Sequence, residues 1–187
     1  MNILAIHGYN MNGEIMKSMC TPLLKRLDYN INLITPDAPF LIKDSSCKEI
    51  TTYFKPPYYQ WFNKSQNIDI DILNILDNID NINNIDGIIG FSQGAYVSSI
   101  ISSYIKPKFV ICIAGVEYNN NNNNNIIKIP SFHIIGKNDI DIYRSINLTK
   151  RFENAEIIYH QDGHHFPKNM NIYTHLNYFI KNSMNSR

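Results

Sequence analysis

The sequence is short of the residues that mark several protein classes. Only three cysteines occur in 187 residues: Cys20, Cys47 and Cys112. They are odd in number and widely spaced, so neither a disulfide framework nor a CxxC-type metal or redox motif is available. An excess of charge is missing too. The 17 basic and 16 acidic residues leave a formal net charge of +1, which gives no electrostatic footprint for nucleic acid or for an anionic membrane surface. No stretch approaches the roughly 18 apolar residues of a membrane span. The opening MNILAIHGYN has no basic segment leading into a long apolar run, so no signal peptide is expected. Thiols without partners, and no leader, point to a reducing compartment. The expected location is the cytoplasm.

What is present suits a folded domain. Apolar residues make up 44% of the chain, enough to bury the core of one domain spanning 1–187 and unlike the composition of a disordered chain. Asn and Ile are over-used, with Asn in surface and loop positions and Ile wherever Leu or Val would serve. This reads as a coding bias, and it means that Ile says little here about β preference.

Along the chain, short apolar runs alternate with helical patterns. Strands are expected over 2–6, 31–35, 85–89, 108–113, 131–135 and 156–159. Helices are expected over 14–27, 68–82, 95–105, 142–152 and 170–181. Pro22 is a candidate kink in the first helix. Residues 40–66 read as a long irregular, aromatic-rich loop, and loops of that length in compact domains tend to line a pocket. The run Asn119–Asn125 is low in complexity and reads as a mobile loop. Alternating strands and helices imply an α/β fold: about six mostly parallel strands with helices on both faces.

The strongest motif is Gly90-Phe91-Ser92-Gln93-Gly94. It fits G-x-S-x-G between an expected strand and an expected helix, the setting of a nucleophile elbow. Its glycines keep side chains away from a tight turn, so the serine Oγ projects from the sheet edge. The Gln93 N–H then lies at a helix N-terminus, where free donors favour a developing oxyanion. A serine at its ordinary pKa is a weak nucleophile and needs an oriented base. In this arrangement the chain order is Ser, acid, His. Asp139, in the loop after SFHII, is the expected acid. Asp141 is its competitor and suits a helix N-cap better. The base is expected after the last strand, in His160-Gln161-Asp162-Gly163-His164-His165. His164 is favoured because Gly163 lets the loop turn inward. His165 is the alternative, and His160 reads as structural. No Cys or carboxylate spacing accompanies the histidines, so no metal is expected. The backbone N–H of Tyr9, in the loop after the first strand, is the expected second oxyanion donor, with His7 as a structural hydrogen-bonding residue.

Taken together, these segments resemble the FSH family of serine hydrolases within the α/β-hydrolase superfamily. The likeness runs through His7-Gly8-Tyr9, Asp37-Ala38-Pro39, the Trp61 region and Ile85 to Ala95. It continues through Lys108-Phe109-Val110 with Gly115, Pro130 to Gly136 with Asp139, and His160 through Gly163-His164 to Pro167. The resemblance implies a six-stranded hydrolase core with little lid, esterase activity, and a Ser92–Asp139–His164 triad. Asp162 departs from the family's usual glycine, and the Asn119–Asn125 run replaces a longer pocket-side segment.

The expected reaction is cleavage of a carboxylic ester or thioester through an acyl-enzyme on Ser92. No cofactor is expected, and the partner is a small-molecule or acyl ester. Phe40, Tyr58, Tyr59, Trp61 and Phe62 are expected to wall an apolar acyl pocket. A non-catalytic small-ligand binder on a hydrolase fold is the alternative. A dinucleotide-binding fold fits less well, because the glycines at 8 and 13 miss the G-x-G-x-x-G spacing. Oligomeric state leaves no trace in the sequence.

Overall fold

The computed structural model describes the chain apart from residues 44–47, 63–75, 78, 80–81, 119–125, 169 and 186–187. Six strands form the central sheet: β1 (Asn2–Ile6), β2 (Asn32–Ile34), β5 (Gly87–Phe91), β6 (Phe109–Ile113), β7 (Ser131–Gly136) and β8 (Ala155–His160). Their spatial order is β2-β1-β5-β6-β7-β8, and every neighbouring pair is parallel.

Side chains alternate strictly between the two faces, as the pleat requires. Ile3, Ala5, Ile89, Phe91, Ile111 and Ile113 face one buried cluster, which is completed by helix α1 (Gly13–Leu24) and helix α4 (Met170–Asn185). Leu4, Ile6, Ile88, Val110 and Cys112 face the other, completed by helix α2 (Gln93–Ile105) and helix α3 (Ile142–Thr149). Strands covered on both faces read as continuous apolar runs, which explains NILAI and FVICI. Each fully buried Ile or Leu contributes roughly 1.5–3 kcal/mol.

The strand order sets where a site can form. From β1 the chain steps outward to β2, then returns to place β5 on the other side of β1. Loops leaving β1 and β5 at their C-terminal ends therefore part in opposite directions and open a crevice, the place where open α/β sheets take their ligands. Ile6 pairs with Gly90, so His7-Gly8-Tyr9 and Ser92-Gln93 leave the sheet side by side.

Several elements differ from expectation. Strand β5 runs two residues later than 85–89, because Asp86 serves as its entry. The Asp86 N–H donates to the Asn2 carbonyl, its carbonyl accepts from Lys108, and its carboxylate lies 3.2 Å from Lys108 Nζ. Helix α1 stops at Leu24 rather than 27, and the next residues tighten into i to i−3 turns onto Leu23 and Leu24. Pro22 sits in the last turn of that helix. Helix α3 ends at Thr149, three residues before the expected 152. Helix α4 runs on to Asn185. The 40–62 stretch is not wholly irregular: β3 (Phe40–Ile42) and β4 (Tyr58–Gln60) pair as an antiparallel hairpin, with a helical turn at Lys48–Thr51 between them. Three-residue strands 15 residues apart are too short to show a period. Most of the helix expected over 68–82, and all of the Asn119–Asn125 loop, lie outside the described residues.

Candidate active site

Sterics decide the geometry at Ser92. A Cβ on Gly94 would strike the backbone oxygens of Ile6 and His7, and one on Gly90 would strike Ala95 Cα and Ser98 Oγ. Only glycines at both positions let α2 lie this close to β5 and to the end of β1. The Ser92 backbone adopts φ 52° and ψ −117°, a region that non-glycine residues avoid at a cost of roughly 1–3 kcal/mol. The fold holds it there from both sides. The Ser92 N–H donates to the Ile113 carbonyl at 3.0 Å, and its own carbonyl accepts from Ala95 at 3.1 Å.

A buried network fixes the loop beside it. Gln93 Oε1 accepts the Trp61 backbone N–H at 2.9 Å, and Trp61 Nε1 donates to the His7 carbonyl at 2.7 Å. His7 Nε2 accepts from the Ala38 N–H at 3.1 Å, which assigns the ring proton to Nδ1, where it donates to the Gly8 carbonyl at 2.7 Å. Burial lowers the His7 pKa to about 4, so the ring is neutral and keeps this tautomer. Gly8 lies so close to the elbow that a Cβ there would sit 3.2 Å from Ser92 Cβ. Among the described residues, no internal acceptor takes the N–H of Tyr9 or of Gln93.

The second half of the site comes from the loops after β7 and β8. Asp139 is buried, and its Oδ2 accepts from His164 Nδ1 at 2.8 Å. Its Oδ1 accepts the Asp141 backbone N–H at 2.8 Å. The two loops are zipped together: Lys137 N–H donates to the His160 carbonyl, Asn138 N–H to the Asp162 carbonyl, and Asn138 Nδ2 to the Gln161 carbonyl. Gly136 is required here, since a Cβ would meet the Gly163 carbonyl oxygen. The His164 ring packs on Phe91, the residue before Ser92, with centroids 5.3 Å apart, and Phe166 packs on the Phe91 ring at 5.2 Å. Thus Ser92 and His164 are neighbours through Phe91, while among the described contacts no hydrogen bond joins them directly. In resting hydrolases that bond is often long and tightens with substrate.

The remaining candidates separate clearly. His165 is exposed, and its backbone N–H returns to the Gly163 carbonyl. His160 is buried, with Nδ1 3.5 Å from the Asp162 carboxylate. Asp141 holds the N-cap position of α3 without capping it, and pairs instead with Arg144 at 3.3 Å. Tyr58, Trp61 and Phe62 are buried within the two cores, so they brace the site from behind. Phe40 and Tyr59 are only partly buried. Tyr59 is bridged to the Tyr9 loop: its carbonyl accepts from Asn10 N–H at 3.0 Å, and its N–H donates to the Met11 carbonyl at 2.7 Å. The bracing roles of Trp61 and the Gln93 side chain leave no mark in the sequence, because their partners lie 54 and 32 residues away.

One nitrogen or oxygen from each of Asp139, Asp141 and His164 lie within 4.8 Å of one another. Both Asp139 oxygens and His164 Nδ1 are already hydrogen bonded, and the Arg144 guanidinium rests on Asp141. A cation placed there would have to break those bonds and face that positive charge. The arrangement fits an acid–base pair better than a metal centre.

A parallel six-stranded sheet, flanked on both faces and carrying a strained serine at its crevice, defines the class: an α/β-hydrolase. Known proteins agree. The carboxylesterase from Mesorhizobium loti superposes with a TM-score of 0.68 over 96% of this chain and 88% of its own, at 11% identity. The Bacillus cereus carboxylesterase gives 0.65 over 97% and 87%, at 15% identity. The family model for serine hydrolase (FSH1) matches residues 1–176, and the chain belongs to that family. Relatives include esterase OVCA2 of Xenopus tropicalis, 29% identical over 89% of this chain and 86% of the relative. Esterase AAEL000016 of Aedes aegypti is 27% identical over 89% and 70%. Among the described residues, no helix is long and apolar enough to cross a membrane.

Proposed function

We propose that this serine hydrolase cleaves carboxylic esters of small or acyl-chain substrates through an acyl-enzyme on Ser92, with His164 as general base and Asp139 as its orienting acid. The observation that carries this reading is the 2.8 Å bond from His164 Nδ1 to buried Asp139, on a ring packed against the residue preceding Ser92.

In the first half-reaction Ser92 Oγ bonds to the ester carbonyl carbon, and the Oγ proton passes to His164 Nε2. Asp139 holds the tautomer that leaves Nε2 free and stabilises the imidazolium. The otherwise unused N–H groups of Tyr9 and Gln93 receive the oxyanion, each worth roughly 3 kcal/mol in the transition state. Collapse breaks the ester C–O bond, and the alcohol leaves with the Nε2 proton. Water, deprotonated by the same nitrogen, then releases the acid. A thioester would follow the same steps with a thiol leaving group. The esterase names of the relatives support the ester reading.

Phe40 and Tyr59 are the aromatics placed to meet an acyl chain. Tyr58, Trp61 and Phe62 contribute to that wall by holding it from within the core. The whole chain acts as one catalytic domain, without a cofactor, in the cytoplasm. Two buried, unpaired thiols, Cys20 and Cys112, fit that compartment.

The test uses a p-nitrophenyl ester series and a fluorophosphonate probe on wild type and Ser92→Ala. Wild type should be labelled at Ser92. The alanine variant should lose turnover by at least about 10³-fold while its melting temperature holds. A folded wild-type enzyme that resists the probe would overturn the reading.

A further inference from the structure

The first turn of α3 carries a carboxylate that the triad does not use. Asp141 stands at an N-cap, where an Asp side chain ordinarily accepts an N–H from the helix. Here it makes no such bond. Its backbone does other work, the N–H donating to Asp139 Oδ1 and the carbonyl accepting from Ser145 at 3.0 Å. The side chain is turned toward the acid–base pair, within 4.8 Å of both Asp139 and His164. There Arg144 meets it. That guanidinium is itself fixed three ways: Nε donates to the Glu117 carbonyl at 3.0 Å, one terminal nitrogen donates to Asp141 Oδ1 at 3.3 Å, and the group lies 4.5 Å over the Tyr118 ring.

We infer that Asp141 is a positioning residue: a second carboxylate that stabilises the His164 imidazolium through space, with Arg144 setting how much of its charge the ring feels. The inference rests on the triad reading above. Asp139 is buried and bonded to the ring, so it supplies orientation and the nearer charge. Asp141 is about one-third exposed and off hydrogen-bond geometry, so it supplies charge alone. At a few ångströms and the effective dielectric of a protein surface such a charge is felt. Arg144 draws it back and keeps it from displacing Asp139 at Nδ1.

The other groups around the ring are few. Phe91, packed on the ring, is apolar, and so is Phe166 on the Phe91 ring. On the base loop Asp162 pairs with His160, while His165 and Lys168 are exposed. Lys137, on the acid loop, is exposed. Tyr118, beneath the Arg144 guanidinium, is held in its neutral form by burial. Among these, Asp141 and Arg144 are the pair of opposite sign whose removal should act in opposite directions.

The experiment is the pH profile of kcat/KM on p-nitrophenyl acetate, with fluorophosphonate labelling of Ser92 in parallel. Asp141→Asn should move the acid limb to lower pH by roughly half a unit, and Arg144→Gln should move it to higher pH by a similar amount. The double variant should return near wild type, and Asp141→Glu should restore the wild-type midpoint. A role confined to stabilising α3 would lower the melting temperature and leave the midpoint alone. Should Asp141→Asn fold poorly, Arg144→Gln reads the same field from the other side. Midpoints that stay put, or move the same way in both variants, overturn this inference while labelled Ser92 leaves the triad standing. A wild type that is never labelled overturns both.

Discussion

The two halves of the site are held by different means. Around Ser92 the geometry is a matter of excluded volume and buried bonds: Gly90 and Gly94 have no room for a Cβ, and Gln93, Trp61 and His7 are sealed in the core. Around His164 the loops lie at the surface and are held mainly by backbone hydrogen bonds across Gly136 and Gly163. The first half is rigid because alternatives collide. The second is ordered because the two neighbouring loops satisfy each other's hydrogen bonds, and such structure opens more easily.

Substitutions can test that contrast. Asp139→Asn, in the half held by loops, should cost about 10⁴-fold in kcat, because the amide favours the wrong imidazole tautomer, with little change in melting temperature. Steady-state kinetics beside calorimetry would show it. A larger loss of stability than of rate would break the comparison.

Acid should act next, on the buried histidines. His7 is held near pKa 4 and His133 near 3, both by burial, while each would take up a proton near 6.5 when unfolded. The unfolded chain therefore binds more protons between those values. Stability is complete above pH 6.5 and falls as pH drops toward about 4, by roughly 3 kcal/mol from His7 alone. Denaturant midpoints at pH 7 and pH 4.5 would measure this. His7→Gln should flatten part of the slope.

Trp61→Phe should come third. It keeps the ring but strands the His7 carbonyl, a loss of roughly 1–3 kcal/mol in stability. Activity should fall with it, since the Tyr9 loop loses its brace. Urea unfolding and kcat would be read together; a stable variant with full activity would show that the network is dispensable. His165→Ala should do least, less than about a twofold change in kcat/KM, since surface substitutions clear of any partner are nearly neutral.

How much of this was legible in the sequence follows the same division. The doubly wound sheet was readable because buried parallel strands are unbroken apolar runs, and Gly90-Phe91-Ser92-Gln93-Gly94 was readable because a steric demand must be written in residue type. Asp139 and His164 were expected to meet, and their side chains are hydrogen bonded. The β3–β4 hairpin was missed, since strands of three residues carry no period. Composition shows that aromatics gather at 58–62 but not which of them are buried, as Tyr58, Trp61 and Phe62 are. The pattern places Asp141 at the start of a helix, where it stands, but its side chain bonds to Arg144 instead of capping, a partner choice that residue type alone does not write.

The unusual backbone at Ser92 has one more implication. Its backbone is fixed by contacts among β1, β5, β6 and α2, so that conformation is complete when the sheet closes. If Ser92 is the nucleophile proposed above, the ordering of its own backbone is settled during folding, and only the substrate remains to be positioned on binding. Competence and native structure should return together when a denatured sample is diluted into buffer.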